Sequence, residues 1–89
     1  MIYFSGQGCG VCKVLQPKIK QAFDKYYPLI KQYYFDIEEY KEFAISHNVF
    51  SMPTVLVFLD GKEFIRKSRN MSVDGIVNDL KRPYSLLME

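Results

Sequence analysis

The sequence is poor in metal-binding residues and has no long apolar run. Among its 89 residues there are two cysteines and a single histidine, His47. A zinc or iron centre needs about four good ligands, so this chain offers too few unless two copies share the metal. No run approaches the roughly twenty residues of a membrane-spanning helix, and the N-terminus lacks the cationic and apolar segments of a signal peptide. We therefore expect a cytoplasmic protein with no metal and no membrane segment.

An excess of one charge is also missing. The chain has 12 basic and 10 acidic residues, a formal net charge of +2. This balance gives no strong electrostatic reason to expect nucleic acid as a partner. The densest basic stretch, Arg66–Arg69, is expected to be a solvated strand end rather than a phosphate site. With 48% hydrophobic residues, residues 1–89 are expected to form one domain whose core needs no disulfide support.

The two cysteines lie close together in the motif Cys9-Gly10-Val11-Cys12. The motif follows a short apolar run, Ile2–Phe4, and precedes a helical pattern. A cysteine at a helix N-terminus lies where unpaired N–H groups and the helix dipole stabilise a thiolate, which is the attacking species in disulfide exchange. A purely structural disulfide here would close a loop of about four residues, which stabilises a fold by only roughly 2 kcal/mol. The motif alone favours redox chemistry and leaves a metal site or incidental cysteines open.

Apolar periodicity predicts alternating strands and helices along the chain. Thr54–Leu59 is an uninterrupted apolar run, typical of a strand covered on both faces. Asp60-Gly61 is a two-residue hairpin signal, Ser72 is a suitable N-cap, and Pro83 is expected to end the last helix. The predicted strands are 2–5, 30–37, 54–59 and 62–67, and the predicted helices are 10–25, 38–47 and 72–83. They predict an α/β fold, a mixed four-stranded sheet (β-α-β-α-β-β-α) with helices on its faces.

In this context the chain resembles the thioredoxin family, in a minimal version with the topology of glutaredoxin. The resemblance covers nearly the whole sequence. It rests on Cys9–Cys12 after the first strand, Pro17 in the following helix, Phe35–Glu38, and Val49–Thr54 ahead of the strand that ends at Asp60-Gly61-Lys62. The last two segments are more similar to thioredoxin than to glutaredoxin.

The resemblance implies a role for each site residue. Cys9 would be the exposed nucleophile that attacks a substrate disulfide, and Cys12 the less accessible thiol that resolves the mixed disulfide. Pro53 would be the family's cis-proline, beside the cysteines, and Met52 would pair with an extended substrate segment by strand addition. Core packing is an equally good interpretation of Met52. The residues flanking the cysteines, Gly8, Gly10 and Val11, are expected to contact the substrate as well.

The sequence departs from the family pattern at several positions. Gly8 replaces the usual tryptophan, Val11 replaces the usual proline, and Tyr3 occupies the position of a buried aspartate that assists the resolving thiol. A neutral tyrosine, with a reference pKa of about 10, is a weak base. Typical thioredoxins begin with an extra strand and helix, whereas here the first predicted strand starts at the beginning of the given sequence, so the chain is either naturally minimal or a shortened piece. For His47, the single histidine, a solvated or helix-capping role is favoured over that of a proton relay. The apolar segment Tyr84–Met88 is expected to pack back on the domain or to dock a partner.

The resulting hypothesis is a monomeric protein disulfide reductase with no bound cofactor. Its partners would be disulfide-containing client proteins and a thioredoxin reductase or another dithiol donor. One alternative is a glutathione-dependent glutaredoxin, although the chain lacks the Gly-Gly pair after the Pro53 strand and the basic residue ahead of Cys9 that glutaredoxins commonly use. Another is a metal-linked dimer or a redox-inert binding module on the same fold.

Overall fold

A mixed β-sheet organises the fold. The structure, a computed structural model, describes residues 1–88. In that range the elements, in chain order, are β1 (Ile2–Ser5), α1 (Gly10–Tyr26), β2 (Tyr33–Asp36), α2 (Lys41–Ser46), β3 (Thr54–Leu59), β4 (Lys62–Ser68) and α3 (Val73–Met88). The predicted order of strands and helices is confirmed. β2 and α2 are shorter than predicted because the chain from Ile30 to Gln32 and from Glu38 to Tyr40 forms turns and loop.

The four strands lie in the order β2-β1-β3-β4. β1 and β2 are parallel, with Tyr3 beside Tyr34, and β1 and β3 are antiparallel, with Tyr3 beside Val55. β3 and β4 are antiparallel, and the turn between them has left-handed backbone at both Asp60 (φ 55°) and Gly61 (φ 76°). Aspartate and glycine tolerate this conformation, which a two-residue hairpin turn with the correct twist requires. The mixed sheet and the antiparallel hairpin are as predicted.

The helices cover both faces of the sheet. On one face, Ile19 and Phe23 of α1 and Ile76 and Leu80 of α3 pack in the same cluster as Tyr3. On the other face, Ala44 of α2 and Val49 pack against Phe4 and Leu56. β1 and β3 are the central strands and are covered on both sides. The cysteines lie where β1 ends and α1 begins, so these buried strands hold them in place.

Not every apolar position of α1 faces the core. Val11, Val14 and Tyr26 follow the apolar spacing of the helix, but all three are exposed. The helix instead turns Cys12, Ile19 and Phe23 toward the sheet. At about 100° per residue, Val11 and Val14 point roughly 100° and 160° away from the direction of Cys12, while Tyr26 lies at the helix end. The exposure of Val11 leaves its side chain free beside the cysteines.

The predicted end of the last helix at Pro83 is wrong, because α3 continues through Pro83 to Met88. A proline inside a helix removes one hydrogen bond and costs roughly 3 kcal/mol. Contacts of the next residue offset part of this cost: the Tyr84 ring packs edge-on against Tyr27 with centroids 4.7 Å apart, and its hydroxyl accepts the Leu29 N–H. The expectation that the 84–88 segment packs back is met by Tyr84. Leu86 and Leu87 are exposed, and the Met88 side chain lies outside what the structure describes.

The packing of α3 on the sheet gives a first prediction. Leu80 is fully buried (0% exposed) and Leu86, on the same helix, is 66% exposed. We expect Leu80→Ala to lower the free energy of unfolding by about 3 kcal/mol, because it leaves a cavity in the core. Leu86→Ala should change it by less than about 0.5 kcal/mol. Urea unfolding of both variants measures the difference, and equal losses would contradict the placement of α3.

Candidate functional site

The two cysteines lie where β1 passes into α1. Cys9 is the N-cap residue of α1, and Cys12 lies in its first turn. The two are joined by a disulfide, with Cα atoms 5.3 Å apart. The Cys9 Sγ accepts the backbone N–H of Cys12 at 3.2 Å. The predicted position of Cys9 at a helix N-terminus is therefore confirmed, and its sulfur receives both a backbone N–H and the positive end of the helix dipole.

The two cysteine residues differ in solvent exposure. Cys9 is 9% exposed and Cys12 is 2% exposed. The expectation of an exposed Cys9 needs a correction, since only a small part of this residue reaches the surface in the disulfide form. The order of accessibility nevertheless is the expected one. Cys9 is therefore the more exposed of the two residues in the disulfide form.

A cleft of about 350 Å³ opens at Cys9. It contains six of the seven residues assigned to the site from sequence, which are Gly8, Cys9, Gly10, Val11, Met52 and Pro53. The seventh, Cys12, does not line this cleft and faces a second one on the other side of the motif. Two residues that the sequence did not assign to the site, Arg69 and Asn70, complete the first cleft. The structure thus brings together two segments that are more than forty residues apart in sequence.

Met52 and Pro53 form the wall of the cleft opposite the cysteine motif. The Met52–Pro53 peptide bond is cis, and Pro53 is buried while Met52 is half-buried. The Met52 thioether lies against Gly6: a Cβ built on Gly6 would come within 2.4 Å of the Met52 Sδ. A side chain at position 6 would therefore require the Met52 side chain to shift. Gly8, in the same loop, has a left-handed backbone with φ 76°.

Tyr3 lies beneath Cys12. Its side chain is fully buried, and its hydroxyl donates a hydrogen bond to the Cys12 carbonyl oxygen at 3.0 Å. Burial, with a smaller contribution from the neighbouring Tyr34 phenol, raises the pKa of Tyr3 to about 12. The phenol is therefore neutral throughout the physiological range, and it acts as a hydrogen-bond donor to the backbone that carries Cys12. The structure agrees with the interpretation of Tyr3 as a poor base.

Sequence reasoning missed Asp36 near the second cysteine. Asp36 lines the second cleft together with Cys12, Lys13 and Gln16. Its Oδ1 accepts the backbone N–H groups of Glu38 at 2.8 Å and Glu39 at 3.2 Å. The signal was available, because the carboxyl ends of parallel strands meet at one edge of a sheet and Asp36 is the last residue of β2. Its register partner, Ser5, is the last residue of β1.

His47 has no part in either cleft. It is the C-cap residue of α2, and its half-buried ring packs edge-on against Phe43 and Phe58, with centroids 4.8 Å and 5.9 Å away. This agrees with the capping role expected from sequence. Within residues 1–88, no three side chains of histidine, cysteine, aspartate or glutamate are grouped so as to hold a metal ion. No helix in this range is both long and apolar enough to span a membrane.

Comparison with known proteins agrees with the fold and the cysteine pair. The thioredoxin family model matches residues 1–82. The chain is 35% identical over 85 residues to the thioredoxin-like protein YdfQ of Bacillus subtilis, covering 96% of this chain and 75% of YdfQ. It is 36% identical over 63 residues to thioredoxin-1 of Saccharomyces cerevisiae, covering 71% of this chain and 60% of the yeast protein. The chain is therefore shorter than these relatives.

Among solved structures, thioredoxin 1 from Thermosipho africanus superposes with a TM-score of 0.87 at 27% identity, over 99% of this chain and 97% of that one. An α/β fold of this kind with a cysteine pair at the start of α1 defines a thiol-disulfide oxidoreductase. The chain belongs to the thioredoxin family.

Proposed function

We propose that this protein reduces disulfides in client proteins, with Cys9 as the nucleophile and Cys12 as the resolving thiol. One observation carries the proposal: the Cys9 sulfur lies at the N-terminus of α1, in the cleft that Met52 and Pro53 also line. The helix N-terminus supplies the electrostatics for a thiolate, and the cleft supplies a surface for the peptide that carries the disulfide.

The first step is attack by the Cys9 thiolate on one sulfur of the substrate disulfide. A bond forms between Cys9 Sγ and that sulfur, the substrate S–S bond breaks, and the departing thiolate takes up a proton. In reduced protein, the Cys12 N–H and the helix dipole would still face Cys9 Sγ. A partly buried charge at a helix end gains about 0.5 to 2 kcal/mol, which raises the thiolate-to-thiol ratio by roughly 2- to 30-fold.

The second step releases the client. The Cys12 thiol loses its proton and its sulfur attacks Cys9 Sγ in the mixed disulfide, so that the Cys9–Cys12 bond forms and the second substrate thiol leaves. The client gains two electrons and two protons, and the cysteine pair loses them. Since Cys12 is buried, desolvation disfavours its thiolate, and removal of this proton is expected to limit the step.

The missing buried carboxylate gives a prediction for this step. We expect the rate of resolution to rise severalfold between about pH 7 and 9, and Tyr3→Phe to leave this profile unchanged, since the Tyr3 phenol stays protonated up to a pKa of about 12. The same variant should lose about 1 kcal/mol of stability with its bond to the Cys12 carbonyl. Stopped-flow single turnovers with each protein measure the profile.

The outcome that would contradict this account is a resolving rate that is already flat at pH 7. Asp36→Asn is the informative companion variant, because Asp36 is the one carboxylate among the described residues that line the second cleft with Cys12. A flat wild-type profile that becomes pH-dependent in Asp36→Asn would identify Asp36 as the base. A large loss of rate in Tyr3→Phe would assign that role to Tyr3 itself.

The client is expected to bind across the cleft in extended form, pairing with the backbone of Met52 and contacting Gly8, Gly10 and Val11. The exposed Val11 side chain and the half-buried Met52 thioether offer adaptable apolar contacts to different sequences. Between turnovers the pair must be returned to the dithiol, and a thioredoxin reductase or another dithiol donor would supply the electrons. Such a cycle fits the reducing cytoplasm. The protein is expected to act as a monomer without a bound cofactor.

The direct test compares two electron sources. Reduction of a disulfide-bonded protein is followed with thioredoxin reductase plus NADPH, and separately with reduced glutathione plus glutathione reductase and NADPH. We expect catalysed reduction with the first source and little above background with the second. Faster turnover with glutathione would instead indicate a glutaredoxin-like activity, and no reduction with either source, or with dithiothreitol, would contradict the proposed function.

A further inference from the structure

The basic side chains of the stretch Arg66–Arg69 do not share one solvated environment at the end of the strand. The Arg66 guanidinium binds the Glu63 carboxylate at 2.7 Å and the carbonyl oxygens of His47 and Asn48. The Lys67 ammonium pairs with Asp79 at 3.4 Å. Arg69 differs from both, because within residues 1–88 its side chain has no hydrogen bond or ion pair.

Arg69 is held at the edge of the Cys9 cleft by its backbone. Its φ of 58° is in the left-handed region, which residues other than glycine, asparagine and aspartate rarely adopt. The Arg69 N–H donates to the Pro53 carbonyl at 2.8 Å, and the Arg69 carbonyl accepts the Met71 N–H at 3.1 Å. The first bond ties Arg69 directly to the Pro53 segment on the cleft wall, so the position of this arginine is coupled to the site.

The cleft has eight lining residues in the described part of the chain, and Arg69 is the single charged residue among them. The side chain is exposed, and it carries the positive charge of an arginine. A substrate carboxylate close to the target disulfide would be repelled by the Cys9 thiolate, and a cation at the cleft edge offsets this repulsion. With an uncharged residue at position 69 this repulsion would not be offset, and such a substrate would have no advantage over a neutral one.

We propose that Arg69 is a specificity-determining residue that selects client segments with an aspartate or glutamate beside the target cysteine. This inference rests on the proposed function, since it concerns substrates of the same Cys9 site. An exposed ion pair of this kind is expected to change the rate constant by about three- to fivefold at low salt and by less as the salt is raised.

The test uses two disulfide-linked peptides that differ only by glutamate or glutamine next to the attacked cysteine. Second-order rate constants for their reduction are measured in single turnovers at low salt and at about 0.5 M salt. Wild type should prefer the glutamate peptide three- to fivefold at low salt and lose most of this preference at high salt. Arg69→Asn should abolish the preference, Arg69→Asp should invert it, and Arg69→Lys should retain part of it.

The substitutions at position 69 are chosen to suit its left-handed backbone. Asparagine and aspartate both tolerate the left-handed conformation, so the two substitutions change the charge without imposing a new strain. Lys62→Asn is the control, because Lys62 is exposed at the opposite end of β4, roughly 20 Å along the strand. It removes the same charge from the protein and should leave the preference intact.

The inference is overturned if wild type reduces both peptides at the same rate, or if its preference persists in Arg69→Asn. Oxidised glutathione, which carries carboxylates of its own, is the third substrate. A loss in Arg69→Asn confined to glutathione disulfide would also overturn the inference, because the recognised carboxylate would then belong to glutathione. If wild type reduces none of the three substrates, the failure is that of the proposed function and not of Arg69.

Discussion

Cys9→Ser is expected to abolish reduction of protein disulfides, with a loss on the order of a thousandfold or more relative to wild type. The serine hydroxyl can still cap α1, since serine is a preferred N-cap residue, and therefore the fold should persist in the reduced state. A hydroxyl is neither ionised near neutral pH nor able to form a disulfide with the client. The measurement is the turnover rate with dithiothreitol as electron source, which bypasses any natural reductase.

The control for this variant is its thermal unfolding beside reduced wild type. Oxidised wild type is the wrong reference, because it carries a disulfide that closes a short loop and contributes roughly 2 kcal/mol. Residual activity within tenfold of wild type, in a folded Cys9→Ser protein, would mean that Cys12 attacks clients itself. The role of the two cysteines would then have to be exchanged.

Cys12→Ser should give a different result, namely accumulation of the mixed disulfide. Attack by Cys9 does not need the Cys12 sulfur, whereas release of the client does. Turnover is expected to fall by about a hundredfold or more, while nearly every chain becomes covalently linked to a client through Cys9. Intact mass spectrometry of the reaction without added thiol detects the adduct, and peptide mapping locates it.

The two variants are controls for each other, since each replaces one sulfur by one oxygen at neighbouring positions of the same turn. A client trapped by Cys9→Ser and not by Cys12→Ser would reverse the assignment. So would alkylation of reduced wild type near pH 7 that marks Cys12 before Cys9. Cys12 is 2% exposed and Cys9 is 9% exposed, which supports alkylation of Cys9 before Cys12.

The sequence predicted most of the fold because its local patterns agree with one another. The bounds of β1 and β3 and the start of α1 are as predicted, and the Asp60-Gly61 turn has the left-handed backbone expected of it. What the local patterns do not decide are features that depend on tertiary packing. The rotation of α1, which exposes Val11 and Val14, depends on how the helix lies on the sheet. The passage of α3 through Pro83 depends on the contact between Tyr84 and Tyr27.

The site, like the fold, was predictable only where local sequence patterns define it. Motif and resemblance together placed Cys9 with Met52 and Pro53, which the structure brings into one cleft. Asp36 and Arg69 were missed. Asp36 comes near Cys12 only because β1 and β2 end side by side. Arg69 belongs to a basic stretch whose three charges looked equivalent in sequence, and only the fold separates the two that are paired from the one at the cleft.

The most direct test of the central claim is a single turnover without any external electron donor. Fully reduced protein is mixed anaerobically with a disulfide-bonded client, and the thiols of both are counted after acid quench and alkylation. The proposed chemistry predicts that client disulfide is lost in amounts equal to the Cys9–Cys12 disulfide gained, with both cysteines of each reacted chain protected from alkylation. A client that stays oxidised while Cys9 and Cys12 remain free thiols would contradict it.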